Sequence, residues 1–294
     1  MMNAESTKSD LKNKRKSRAF AIITVLLLAI IIWTGWGNLT IGVTHYCISS
    51  DRLPNAFDQY KIAIVSDFHN ARFGNDNEPL IELVRKEKPN IIAITGDLVD
   101  SSRTDIETAV SMVKRLVEIA PCYYVTGNHE GWLGDRYQEL YTALTEAGVY
   151  VFHDNVSTLE KDGETIQIAG LNDPDFYDKE SPAARSDLSV KLKSIDLTED
   201  YCILLSHRPE SFNAYAHKGI DLVLSGHAHG GQFRLPFIGG LVAPNQGLFP
   251  KYDAGLYIED RTNMIVSRGI GNSIIPVRFN TRPELVIVEL NAEY

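Results

Sequence analysis

The chain has 294 residues, of which 44% are hydrophobic and 23% charged, an ordinary balance for a folded protein with a sizeable core. Its net charge of −9, with no Lys/Arg cluster beyond the N-terminus, excludes a basic groove for a phosphate backbone, so nucleic acid is not an expected partner. Cys47, Cys122 and Cys202 lie in apolar runs without paired spacing and read as small buried hydrophobes rather than a disulfide frame or a zinc knuckle.

Residues 1–18 form a basic leader, with Lys8, Lys12, Lys14, Arg15, Lys16 and Arg18 against Glu5 and Asp10. Residues 19–36, AFAIITVLLLAIIIWTGW, carry no charge. At 1.5 Å per residue they nearly cross a hydrocarbon core of about 30 Å. The apolar run exceeds a signal-peptide core, and no small-x-small cleavage site follows Trp36. The reading is an uncleaved anchor over 19–37, with the leader cytoplasmic and the domain 38–294 extracytoplasmic, because a basic flank stays inside.

Beyond the anchor, 38–49 reads as a strand, and further strands are expected at 61–66, 91–95, 122–126, 165–170, 202–206 and 221–225. Helical spacing appears near 78–88, 104–119 and 135–147. Apolar runs alternating with helices indicate parallel strands buried on both faces. From about residue 150 the pattern turns to hairpins, with an Asp162-Gly163 turn inside VSTLEKDGETIQIAG. The expected fold is a mixed α/β sandwich in which two halves bring two sheets together, without independent catalytic subdomains.

Five blocks begin where strand runs end: Asp67-Phe68-His69, Gly96-Asp97, Gly127-Asn128-His129-Glu130, Ser206-His207-Arg208-Pro209 and Gly226-His227-Ala228-His229-Gly230-Gly231. Open α/β sheets bind ligands there. One residue apart on extended chain, Asp67 and His69 project to one side, and so do His227 and His229. Carboxylate with imidazole suits Zn²⁺, Mn²⁺ or Fe and suits Ca²⁺ poorly. Taken singly, Asp97 and Asn128 could be turn or cap residues and His207 a core histidine. The ordered set of metal-ligand types at strand ends carries the reading.

In this order, D-x-H, G-D, G-N-H-E, a later His and G-H-x-H resemble the calcineurin-like metallophosphoesterases, over about residues 60 to 290. GHAHGGQFRLPFIGGLVAP and SRGIGNSIIPVRFNTRPELVIVEL resemble the bacterial membrane-associated branch of that superfamily. The resemblance implies a four-layer αββα sandwich of the metallo-dependent phosphatase type with a dinuclear centre. It implies Asp67, His69 and His229 on one metal, Asn128, His207 and His227 on the other, and Asp97 bridging both. His129 would be a catalytic non-ligand that meets the phosphate and protonates the leaving group, with Asn128 also facing substrate. Phe68 and Arg208 depart from the commonest pattern. Arg208 is a weaker candidate for a phosphate contact, with a structural salt bridge as the alternative.

The function expected is hydrolysis of a phosphodiester, pyrophosphate or phosphomonoester on an envelope or lipid-linked substrate. The nucleophile would be a hydroxide held by two divalent ions about 3.5–4 Å apart. Segments 172–186 and 241–255 are candidate walls of the cleft. The competing reading is a membrane-tethered metal-binding scaffold without turnover. No protein partner is inferable.

Overall fold

A computed structural model describes the backbone of residues 2–176, 188–272 and 275–293, with side chains from residue 13 onward. The side chains of Lys8 and Lys12 in the leader, and part of the expected cleft wall, 177–186, lie outside this description.

The N-terminal helix α1 runs Met2–Leu39. Its segment Asn13–Leu39 is long and apolar enough to cross a membrane, and none of its 18-residue apolar window is buried. The strand expected from residue 38 starts later: Asn38 Nδ2 donates to Thr34 O one turn back, which keeps the chain helical to Leu39.

The rest of the chain runs β1 (Gly42–Ser50), β2 (Tyr60–Val65), α2 (Glu78–Glu87), β3 (Ile91–Thr95), α3 (Ile106–Val117), β4 (Cys122–Val125), α4 (Asn128–Gly131), α5 (Arg136–Glu146) and β5 (Tyr150–Val151). It continues with β6 (Asn155–Lys161), β7 (Glu164–Gly170), α6 (Leu188–Ser194), β8 (Cys202–Leu205), α7 (Phe212–Lys218) and β9 (Leu222–Ser225). Two small hairpins follow, β10 (Arg234–Leu235) with β11 (Gly239–Gly240) and β12 (Val242–Ala243) with β13 (Gly247–Leu248). The last strands are β14 (Gly255–Glu259), β15 (Thr262–Val266) and β16 (Glu284–Ala292).

Two six-stranded sheets form, ordered β1-β16-β2-β3-β4-β5 and β14-β15-β9-β8-β7-β6. Strands β2, β3 and β4 are parallel, with Ile62 opposite Ile91 and Ile92 opposite Cys122. The second half differs from the hairpin expectation, because β7, β8, β9 and β15 are also parallel and the hairpins occupy only the edges. Helices α6 and α7 act as crossovers and cover the outer face, so the apolar runs there are buried on both sides. At one edge the Asp162-Gly163 turn has both residues at positive φ, which suits a tight hairpin between β6 and β7.

The alternation of each strand builds four layers. Ile62, Ile64, Ile203, Leu205 and Leu224 meet between the sheets. Ala63, Val65, Ile92 and Ile94 face α2, α3 and α5, while Leu204 and Val223 face α6 and α7. Each fully buried aliphatic side chain contributes about 1.5–3 kcal/mol, whereas an exposed pair such as Arg72–Asp105 contributes about 0–1 kcal/mol, so these interfaces hold the fold. Strand β16 inserts between β1 and β2 and so ties the C-terminus into the first sheet. Cys122 and Cys202 are buried, but Cys47 is exposed, because alternation on edge strand β1 turns it outward.

Candidate metal centre

The loops after β2, β3, β4, β8 and β9 converge at one end of the sandwich. Asp67, His69, Asp97 and His229 present ligand atoms within 4.8 Å of one another, and Asp97, His207 and His227 form a second such group. Asp97 belongs to both. Its Oδ2 lies 3.5 Å from His69 Nε2 and 3.2 Å from His207 Nε2.

The extended-chain account of the paired residues is corrected. Asp67, His69, Asp97, His227 and His229 all have φ between 45° and 67°, in the left-handed region. Tight turns therefore aim the side chains. Backbone ties hold those turns, with Asp67 N–H donating to Gly96 O and His69 N–H to Asp97 O. Such conformations are costly for residues with a Cβ and concentrate where surrounding structure enforces them for function. Two glycines clear the space: a Cβ on Gly226 would overlap Ser66 Oγ and Asp67 Oδ2, and one on Gly127 would overlap Asp97 Oδ1.

The donor set fits divalent cations. His69 Nε2 faces His229 Nε2 at 3.3 Å, and His227 Nδ1 faces His207 Nε2 at 3.1 Å, so imidazole nitrogens are turned toward one another. Asn128 Oδ1 is buried without a hydrogen-bond partner, as a carbonyl ligand would be. His207 Nδ1 donates to Thr95 O at 2.7 Å, which commits Nε2 to the cluster.

Electrostatics agree with that geometry. Burial opposes charge on His207, but the Asp97 carboxylate 3.2 Å away outweighs it and lifts the ring to about 10. Burial would raise Asp97, yet the facing His207 holds it well below the usual carboxylate range. Burial raises Asp67 to about 6 and lowers His69 to about 3. It also pushes His227 and His229 well below the ordinary histidine value.

His129 lies beside the cluster, its ring 4.6 Å from that of His69 and 4.8 Å from the indole of Trp132. Its Nδ1 accepts the Ser101 backbone N–H at 3.0 Å, so the neutral ring carries its proton on Nε2. Arg208 is buried, binds Asp173 through Nε and Nη2, and places Nη1 3.1 Å from His227 Nε2. A cavity of about 90 Å³ is lined by Asp97, Asn128, His129, Arg208, His227 and His229, together with Trp132, Asp175, Pro244 and Asn245. Parts of both expected cleft walls thus reach it.

Sequence reasoning missed four contributors. Glu130 accepts N–H groups from Asp97, Leu98, Val99 and Gly127, bracing two ligand loops with one buried carboxylate. Its place inside the G-N-H-E block was the available signal. Asp173, Ser101 and Trp132 carry no pattern that marks them in a single sequence.

The calcineurin-like phosphoesterase family model matches residues 60–231. An uncharacterized metallophosphoesterase, YkuE of Bacillus subtilis, is 31% identical over 261 residues, covering 86% of each chain. The phosphodiesterase YaeI of Escherichia coli is 29% identical over 267 residues, covering 85% of this chain and 92% of that one. A transmembrane protein with metallophosphoesterase domain from Danio rerio is 27% identical over 251 residues, covering 83% of this chain and 56% of that one. The chain belongs to the calcineurin-like phosphoesterase family and is a phosphoester hydrolase with a clustered Asp/His site.

Proposed function

We propose that the protein hydrolyses a phosphoester carried by a lipid or another envelope component, with two ligand groups that share Asp97 and would hold a pair of divalent ions. The observation that carries this reading is the membership of Asp97 in both ligand groups. Asp67, His69 and His229 would hold one ion, and Asn128, His207 and His227 the other. The residue types suit Mn²⁺, Zn²⁺ or Fe. When bound, such a pair lowers the pKa of water and clamps phosphoryl oxygens during in-line displacement.

The chain's own groups supply the rest. His129 would present Nε2–H as a hydrogen-bond donor to the departing oxygen, stabilising the charge that develops there as its bond to phosphorus breaks, while solvent water protonates the leaving group. Asn128 and His129 line the cavity and orient the phosphoryl group. Arg208 is fixed by Asp173 and acts on His227 rather than reaching freely for substrate.

Residues 19–37 would anchor the protein, with 1–18 cytoplasmic and 38–294 forming the extracytoplasmic catalytic domain. The exposed apolar surface of α1 and the exposed cations Lys14, Arg15, Lys16 and Arg18 preceding it support this orientation. The test uses full-length protein in detergent, stripped by chelator and reloaded with Mn²⁺ or Zn²⁺. A panel of phosphomonoesters and phosphodiesters, including lipid-linked ones, should show turnover restored by metal. Metal binding with no turnover on any ester would favour the scaffold reading instead.

A further inference from the structure

The C-terminal end of α1 is fastened to the domain. Asn38 exchanges two hydrogen bonds of 2.8 Å with the Arg278 backbone, and the Arg282 guanidinium lies 4.3 Å from the Trp36 ring centroid. The same segment also holds β10: Arg234 N–H donates to Phe279 O at 2.9 Å, and Asn280 Nδ2 donates to Arg234 O. Beyond β10 the β10–β11 tip leaves Phe237 and Ile238 in solvent, at 109% and 63% exposure. Phe249 N–H donates to Leu241 O, placing the end of β13 beside this hairpin, where Leu248 and Phe249 are 74% and 62% exposed.

Four large apolar side chains in thirteen residues are thus uncovered on the part of the domain tied to the end of α1. Charge singles out the same stretch. The chain is acidic overall, yet no Asp or Glu occurs from Leu222 to Tyr252; Lys251 is cationic there, while Arg234 is paired with Asp253 at 2.8 Å. Neighbouring Pro244 and Asn245, in the loop between β12 and β13, line the cavity that holds Asp97, His129 and His227.

We propose that the β10–β11 and β12–β13 hairpins are a second membrane contact, seating Phe237, Ile238, Leu248 and Phe249 in the lipid interface of the bilayer that α1 crosses. The inference rests on the reading of α1 as a membrane span. Partial burial of four such side chains would hold a free protein only weakly. A tethered domain needs no more, because the anchor keeps the tips at high effective concentration beside the surface. Docking in this way brings the rim of the metal cavity to headgroup level, where a lipid phosphoester would meet it.

The experiment reads depth in full-length protein, reconstituted in vesicles of phosphatidylcholine and phosphatidylglycerol. Nitroxides are placed by Ile30→Cys, Phe237→Cys, Phe249→Cys and Val190→Cys in a Cys47→Ser background, which removes the exposed thiol. The nitroxides at 237 and 249 should lose roughly tenfold of their collision rate with aqueous nickel chelate relative to 190, as interfacial burial of ~5–10 Å predicts. They should gain oxygen contact, as position 30 does. A lipid environment at 30 with water at 237 and 249 overturns the docking alone, whereas water at 30 overturns the anchor reading and the docking with it. Shielding at 237 and 249 that grows with the protein-to-lipid ratio would assign the patch to a second copy and overturn the lipid contact.

Discussion

The Nδ1 atom of His129 accepts the backbone N–H of Ser101 at 3.0 Å, and this contact leaves Nε2 as the ring nitrogen that carries the N–H. With Nδ1 occupied as acceptor, Nε2–H would be a hydrogen-bond donor toward substrate. His129→Ala should lower kcat by about 10²–10³, the range for loss of one hydrogen-bond donor to developing charge, while metal content stays at the wild-type level. Turnover unchanged in that variant would remove His129 from the mechanism.

Glu130 presents one carboxylate to four backbone N–H groups around Asp97 and Gly127. Glu130→Gln replaces an acceptor oxygen with an NH₂ group facing those donors. Each donor left unsatisfied costs about 1–3 kcal/mol, so the variant should melt earlier and retain less metal. Wild-type melting and metal content together would show that the carboxylate is dispensable.

Arg208 and Asp173 are a buried pair, with side-chain exposures of 3% and 0%. Removing one partner strands the other charge, so Asp173→Ala should cost about 3–5 kcal/mol in denaturant unfolding. The double variant Arg208→Met/Asp173→Leu should recover much of that loss. If Arg208→Ala instead keeps full stability and raises KM alone, Arg208 is a substrate contact.

Metal uptake should depend on pH with a definite sign. His207 beside Asp97 titrates at about 10 against an ordinary value of 6.5. In metal-stripped protein this pair stabilises fully between the ordinary values of 3.8 for Asp97 and 6.5 for His207; its contribution fades as pH falls below that window and is lost as pH rises through 10. A cation on Nε2 requires the neutral ring, so uptake at pH 7–9 must expel that proton, and affinity should rise about tenfold per pH unit. Calorimetry in buffers of different ionisation enthalpy counts the protons. No proton release at pH 8 would contradict the His207–Asp97 coupling.

The layers and the clustered Asp and His residues were legible because both depend on residue type at short range. Buried strands such as Ile91–Thr95 declare themselves as apolar runs, and the histidine blocks sit directly after them. The mode of convergence was not legible. Positive φ at Asp67, His69, His227 and His229 arises from contacts between loops that are distant in sequence, such as Asp67 N–H with Gly96 O. For the same reason Asp173 was invisible, since its partner Arg208 lies 35 residues away. The crossovers of the second half were missed because α6 and α7 span only seven residues each, too short for a clear helical period.

Metal stoichiometry tests the two-ion reading most directly. Full-length protein stripped by chelator and titrated with Mn²⁺ should take up two ions per chain, with hydrolysis of an aryl phosphodiester appearing as the second site fills. Asp97→Ala should hold fewer ions and lose that hydrolysis. Full activity with one ion per chain, or an active Asp97→Ala protein, would contradict a centre bridged by Asp97.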